Sequence, residues 1–111
     1  MSEFFTTVAG RATFDPTRGT KADLWVGGRL FVGLNCFEPG QSQTVHTHTD
    51  ADKFYFLVSG KARMTVGPDT RVAEAGDLVR APADVPHGVV EALERTVMLV
   101  AIAPPPGRRR P

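Results

Sequence analysis

The sequence has one cysteine, no long apolar run and almost no net charge. Cys36 is the only cysteine among 111 residues, which excludes an internal disulfide and favours a reducing, cytoplasmic environment. We expect neither a signal peptide nor a membrane span, because no apolar stretch is long enough for either. The formal net charge of +1 gives no electrostatic case for nucleic acid or a membrane as a partner. A small-molecule ligand is the expected partner.

Glycine and proline are frequent, at 11 and 9 residues, and they divide the chain into short runs. No uninterrupted amphipathic segment reaches helical length, whereas the runs between turns are rich in β-branched and aromatic residues. These runs predict nine strands, at residues 22–26, 29–37, 44–48, 53–58, 62–66, 71–74, 77–81, 88–92 and 96–101. The pattern is all-β, and an antiparallel jelly-roll β-barrel fits it best.

The chain is long enough for one hydrophobic core and too short for two. We therefore predict a single domain over residues 1–103. The segment 104–111 is rich in proline and arginine, has nothing apolar to bury and lacks ladder donors, so it is expected to be a flexible tail.

The three histidines of the chain fall at the ends of two predicted strands. His46 and His48 are two residues apart, so strand alternation points both side chains to the same face, roughly 6.5–7 Å apart along the backbone. His87 follows a proline-rich turn at the start of another strand. Because imidazole nitrogens bind metals at about 2.0–2.1 Å, a third ligand has to come from such a second strand. The sequence predicts one metal ion held by His46, His48 and His87.

The spacing around the first histidine pair resembles the first conserved motif of the cupin superfamily. That motif runs from a glycine through five residues to His-x-His, then to a glutamate and, after six more residues, a second glycine. Gly40, His46, His48 and Gly60 match it, and Lys53 stands at the position of the glutamate.

The residues before His87 resemble the second cupin motif, which reads glycine, five residues, Pro-x-Gly, two residues, histidine, three residues and asparagine. Gly76, Pro82 and His87 match at the expected spacing, while Asp84 replaces the glycine and Glu91 the asparagine. Two motifs in the right order, covering residues 40 to about 91, identify the chain as similar to cupins. The resemblance implies a β-barrel holding one divalent metal ion, which would be Fe, Mn, Ni, Zn or Cu.

Lys53 is the main departure from the cupin pattern, since an ammonium beside a dication is electrostatically unfavourable. In one interpretation, three neutral histidines hold the metal and leave coordination positions open to other ligands. In a second, Asp50 or Asp52 supplies the missing carboxylate, although alternation points Asp52 to the opposite face. In a third, Lys53 is a desolvated amine that acts as a base, forms a Schiff base or clamps a substrate carboxylate. A fourth interpretation is a lysine that extends from the barrel rim into water.

The strand that contains Lys53 is apolar on both faces. Alternation puts Lys53 and Tyr55 on one face and Phe54, Phe56 and Val58 on the other. If the lysine face points into the barrel, the phenylalanine face points away from it. The phenylalanine face then needs a cover, which predicts a homodimer. The last predicted strand is also apolar on both faces, which adds to this prediction.

The functional hypothesis is a mononuclear three-histidine metalloenzyme of dioxygenase, isomerase or lyase type, acting on a small organic molecule. Lys53 and Tyr55 are the candidate catalytic residues, with Tyr55 in a minor role. We interpret Cys36 as an ordinary buried thiol; Asn35 faces the opposite way, so at most one of these two lines the cavity. The alternative function is a binding module that holds a ligand or a metal without turnover, because the fold alone cannot choose between the two.

Overall fold

The computed structural model describes residues 4–107, which form one short helix followed by nine strands. The helix is α1 (Val8–Arg11), and the strands are β1 (Thr20–Val26), β2 (Phe31–Phe37), β3 (Gln43–His46), β4 (Asp52–Ser59), β5 (Lys61–Val66), β6 (Asp69–Glu74), β7 (Leu78–Ala81), β8 (His87–Ala92) and β9 (Thr96–Ala103). Each predicted strand is present, with its ends displaced by about two residues or fewer. No helix within the described residues is long and apolar enough to cross a bilayer.

Two antiparallel sheets face each other. One has five strands in the order β1-β2-β9-β4-β7, and the other has four in the order β3-β8-β5-β6. Neighbours in sequence often lie in different sheets, which is the arrangement of a jelly roll and confirms the predicted fold class. Gly60 allows the tight turn from β4 to β5, because its φ is +90° and a Cβ there would overlap the carbonyl of Arg95.

The five-stranded sheet has a hydrophobic cluster on each face. Between the sheets lies the main core, which includes Tyr55, Leu57, Met98 and Val100. On the outer face Leu34, Cys36 and Val97 form a second cluster, covered by the N-terminal segment through Val8, Ala12 and Phe14. Cys36 is 1% exposed and lies in this second cluster, as expected for an ordinary buried thiol. Both faces of β9 are thus covered within the chain, so this strand gives no support to a dimer.

Strand β4 alternates as predicted, with Lys53, Tyr55 and Leu57 buried and the residues between them exposed. Phe54 and Phe56 are each 37% exposed on the outer face of the sheet. At the end of the chain Pro105 is fully buried, so this part of the predicted flexible tail packs against the domain. Residues 108–111 lie outside the described part, and the division of the chain at residue 103 stays a prediction.

Candidate metal centre

The three predicted ligands are brought together where β3 and β8 pair. His46 at the end of β3 is the cross-strand partner of His87 at the start of β8. His48 was predicted to lie on the same strand as His46, but β3 ends at His46 and His48 lies in the following loop. The carbonyl of His48 accepts a 2.8 Å hydrogen bond from the backbone N–H of Asp84, which holds this loop against the turn before β8.

The imidazole rings form a compact triangle. The ring centroids of His46 and His87 are 4.4 Å apart, those of His46 and His48 5.0 Å, and those of His48 and His87 5.4 Å. One ligand nitrogen from each ring lies within 4.8 Å of the other two. Two nitrogens that each lie about 2.1 Å from one ion are at most about 4.2 Å apart, so a small movement of the side chains suffices to place all three on a single ion.

Backbone carbonyls fix the orientation of two of the rings. Nδ1 of His46 lies 2.9 Å from the carbonyl oxygen of Thr44, and Nδ1 of His87 lies 3.0 Å from that of Val85. Each Nδ1–H therefore donates to the backbone, which leaves the Nε2 lone pair available, as in metal-ligating histidines. Nε2 of His87 is fully buried and has no hydrogen-bond partner within residues 4–107.

Electrostatics keep His87 in the form that binds metal. Burial lowers the pKa of the His87 imidazole below its ordinary value, and the nearby positive charge of Lys53 lowers this pKa further. Three neutral imidazoles suit Zn, Cu, Fe or Ni. Among the described residues the cluster contains no carboxylate, and Asp52 accepts a 2.9 Å hydrogen bond from the backbone of Ala83 instead. The reading in which Asp52 replaces the cupin glutamate is therefore not supported.

Lys53 points into the space between the sheets. It is 7% exposed, and its Nζ lies 4.5 Å from the centroid of the Tyr55 ring, so the side chain does not extend into water. Burial, followed by the charge of Lys21, lowers the pKa of the Lys53 ammonium to about 8. The ammonium is therefore the major form at neutral pH.

Tyr55 is fully buried and already engaged. Its hydroxyl donates a 2.7 Å hydrogen bond to Oε1 of Gln43, and its ring lies edge-on to His87 with centroids 6.2 Å apart. Burial raises the pKa of Tyr55 well above its ordinary value, so the phenol stays protonated near neutral pH. Tyr55 thus contacts both Lys53 and Gln43 and lies beside the histidine cluster.

Sequence reasoning missed Gln43. Strict alternation places Gln43 on the face opposite His46, but β3 has an irregularity between these residues: Gln43 pairs with Val89 and His46 with His87, so three steps on β3 match two on β8. This extra residue is a β-bulge, and it turns both side chains to the cavity. Asn35 also lines the cavity, which settles the choice between Asn35 and Cys36.

A cavity of about 670 Å³ opens beside the histidines. His46, His48 and Lys53 line it together with Phe31, Val100 and Ile102. Its volume falls in the range of small-molecule sites, about 300–1,000 Å³. His87 is 0% exposed, so it lies deeper than the two other histidines.

Comparison with known proteins identifies a family and a relative in sequence. A family model described as cupin domain matches residues 33–103. The uncharacterized protein SCO3923 of Streptomyces coelicolor is 36% identical over 76 residues, which are 68% of this chain and 71% of that protein.

Solved structures agree with the family match. The crystal structure of TT1209 from Thermus thermophilus superposes with a TM-score of 0.85 at 31% identity, covering 90% of this chain and 96% of that one. An RmlC-like cupin protein from Desulfovibrio desulfuricans gives a TM-score of 0.77 at 27% identity, covering 85% and 90%. Since the family model spans most of the chain and both conserved motifs, this protein belongs to the cupin family.

Proposed function

We propose that this protein is a mononuclear metalloenzyme that acts on a small organic molecule, with His46, His48 and His87 as the metal ligands. The observation that carries the proposal is Nε2 of His87, which is buried, has no partner within the described residues and faces two further imidazoles. A buried acceptor without a partner costs about 1–3 kcal/mol. A divalent cation, which would be Fe, Mn, Ni, Zn or Cu, removes that cost and uses the lone pairs that the Nδ1 contacts leave available.

Three protein ligands leave coordination positions open to a substrate. When bound, the ion would supply Lewis-acid or oxygen chemistry at those positions, which is the chemistry of isomerases, lyases and dioxygenases. The cavity opens beside His46 and His48, so a small molecule that enters it reaches the open side of the cluster.

The chain's own residues would bind and orient that molecule. Lys53 supplies a positive charge within the cavity, and the Tyr55 hydroxyl fixes the side-chain amide of Gln43 at its wall. Phe31, Val100 and Ile102 form an apolar wall that limits the access of water. Electrostatic contacts are stronger in such a site than at an exposed surface.

A non-catalytic binding module is the second candidate function. The observation that favours it is the engaged hydroxyl of Tyr55, which donates to Gln43 and belongs to a phenol that stays protonated. Of the two candidate catalytic residues, only Lys53 would then be left to transfer a proton near neutral pH. A single group is little for catalysis. Both functions share the metal site, and they differ in whether a bound ligand is turned over.

Metal analysis of untagged protein tests the shared part of the proposal. We expect up to one divalent ion per chain, and His48→Ala should lower the loading at least about tenfold while the metal-free variant stays folded by circular dichroism. Lys21→Ala is the matched control, because Lys21 lines the cavity without belonging to the histidine cluster. Protein that neither carries nor accepts an ion, or that binds two per chain, contradicts the model.

We also propose that the chain forms a homodimer through the outer face of β4 and β7. Phe54, Phe56 and Val58 are each 37% exposed there, and the neighbouring Leu78 is 57% exposed. Phe56 and Leu78 are cross-strand partners, so these side chains form one continuous apolar patch. A second copy of the same patch offers a matching apolar surface, as in an isologous interface.

A further inference from the structure

The Lys53 ammonium lacks an anionic partner. Its side chain is 7% exposed, and within residues 4–107 its Nζ makes neither a hydrogen bond nor an ion pair, only the contact of 4.5 Å with the face of the Tyr55 ring. An ammonium with three donors, carried by a largely buried side chain and without a protein acceptor, is less favourable than one paired with a negative charge. A metal ion in the histidine cluster cannot do so, because it adds positive charge.

The surroundings of Lys53 favour an anion over a neutral ligand. Lys21 lines the same cavity, and its charge acts on Lys53. The amides of Asn35 and Gln43 add possible hydrogen-bond donors to the wall. Asp23 is the only acidic residue among those that line this cavity in the described part of the chain. The cavity therefore carries a net positive charge even before a metal binds.

The cavity that holds Lys53 limits the size of the anion that can bind there. Lys53 and the histidines lie close to the same Tyr55 ring, whose centroid is 4.5 Å from Nζ of Lys53 and 6.2 Å from the ring centroid of His87. One small molecule in a cavity of about 670 Å³ can therefore contact Lys53 at one end and approach the histidines at the other. The middle of such a molecule would face an apolar surface formed by Phe31, Val100 and Ile102.

We propose that the cavity binds a small organic carboxylate, whose carboxylate group pairs with Nζ of Lys53 while the rest of the molecule extends toward the histidine cluster. The carboxylate supplies the acceptor that the buried ammonium lacks. This inference deepens the proposed function by naming its ligand class, and it rests on that function only for the orientation toward the metal. The ion pair itself forms without a metal.

The test uses the full-length protein after removal of metal with a chelator. Isothermal titration calorimetry with propionate and benzoate is compared with their neutral analogues, propionamide and benzamide, and inorganic phosphate tests for a general anion site. We expect each acid to bind at least about tenfold more tightly than its amide, since a hydrogen bond between two charged groups is stronger than one to a neutral amide. Lys53→Met and Lys53→Gln should both abolish this preference for the acid.

Lys61→Met is the matched control, because it removes a lysine charge from a partly exposed side chain outside this cavity. Its preference for acids should change less than about threefold. The proposal fails if neither acid binds, if acid and amide bind equally, if both Lys53 variants keep the preference, or if Lys61→Met loses as much as Lys53→Met. Phosphate that binds as tightly as the acids, with the same dependence on Lys53, would instead indicate an inorganic-anion site. Because no metal is present, acid binding can succeed even where the metal proposal fails.

Discussion

The backbone N–H of Asp84 donates a hydrogen bond of 2.8 Å to the carbonyl oxygen of His48, and this contact joins the loop that carries His48 to the turn that precedes His87. Asp84 has a φ of +70° and stands where the second cupin motif has a glycine. Aspartate is one of the few side chains that tolerate this left-handed conformation. The position of His48 therefore depends on the backbone conformation of a residue three positions before His87.

Asp84 gives the first prediction. Asp84→Ala should lower the free energy of unfolding by about 1 kcal/mol, because alanine adopts a left-handed backbone less readily than aspartate. Asp84→Gly is the matched variant and should be neutral or slightly stabilising. Urea denaturation of the metal-free proteins measures both changes. Equal stability of the alanine and glycine variants would show that the turn relaxes without this conformation.

Metal affinity should depend on pH. The ligands have to be neutral imidazoles, so affinity should fall as the pH drops below about 6.5, where ordinary histidine gains a proton. Burial lowers the pKa of His87, so protons compete at this ligand only below that value. Competition with a chromogenic chelator between pH 5 and about 8 measures the effect. Affinity that does not change with acidification would point to carboxylate ligands.

Substitution of Lys53 should strengthen metal binding. Lys53→Glu restores the carboxylate of the cupin motif beside the cluster and should raise metal affinity by about tenfold or more, whereas Lys53→Met removes only the repulsion and should raise it less. Lys21→Met, at the cavity rim, serves as the control and should have a smaller effect than Lys53→Met. Unchanged affinity in both Lys53 variants would show that this ammonium has no electrostatic effect on the cluster.

The buried ammonium should also make stability rise with pH. The pKa of Lys53 is about 8 in the folded protein and 10.5 for an unperturbed lysine, so between these values the unfolded chain binds more protons. The free energy of unfolding of the metal-free protein should therefore increase from about pH 8 to about 10, by no more than about 3 kcal/mol. Lys53→Met should lack this increase relative to the wild type, and Lys21→Met should keep it. If the free energy of unfolding depends on pH in the same way in the wild type and in Lys53→Met, the increase does not come from Lys53.

The proposed dimer can be tested by introducing a charged residue on the outer face of the five-stranded sheet. Phe54→Lys or Phe56→Lys should convert a dimer to a monomer in sedimentation velocity at micromolar concentration, because an unpaired charge in the core of an interface is costly. Val72→Lys is the matched control, since Val72 is 46% exposed on β6 of the other sheet. A wild-type monomer at this concentration removes the proposal, and a dimer that survives both phenylalanine changes would place the interface elsewhere.

The sequence was a good guide to the strands because each is a short β-branched or aromatic run bounded by glycine or proline, and these local signals agree with the tertiary packing. Simple alternation predicted that Lys53 and Tyr55 share one face of β4, and the structure shows that this is the buried face. Gln43 could not be found in this way, because a bulge breaks the alternation and leaves no mark in residue type. Helix α1 was missed for a similar reason, since one turn shows no periodicity.

The meeting of the three histidines was predicted from their spacing, but the orientation of their rings depends on backbone contacts that spacing does not reveal. The carbonyls of Thr44 and Val85 orient two of the imidazoles, and any residue type offers a carbonyl. The depth of Lys53 likewise depends on the sheet that covers it. Spacing therefore predicts which residues meet, whereas burial and backbone contacts decide how each one is charged and where its lone pairs point.

The second hydrophobic cluster sets a lower limit to the length of chain that can be expressed as a stable unit. The cupin match begins at residue 33, yet Leu34, Cys36 and Val97 are covered on the outer face by Val8 and Phe14. Arg95 stacks over the Phe14 ring at 4.0 Å and forms an ion pair with Glu38, which attaches the N-terminal segment to the sheet. A chain shortened to the family match would leave an apolar surface and a thiol open to solvent, and it would be prone to aggregation and to disulfide-linked dimers that the full chain keeps from forming.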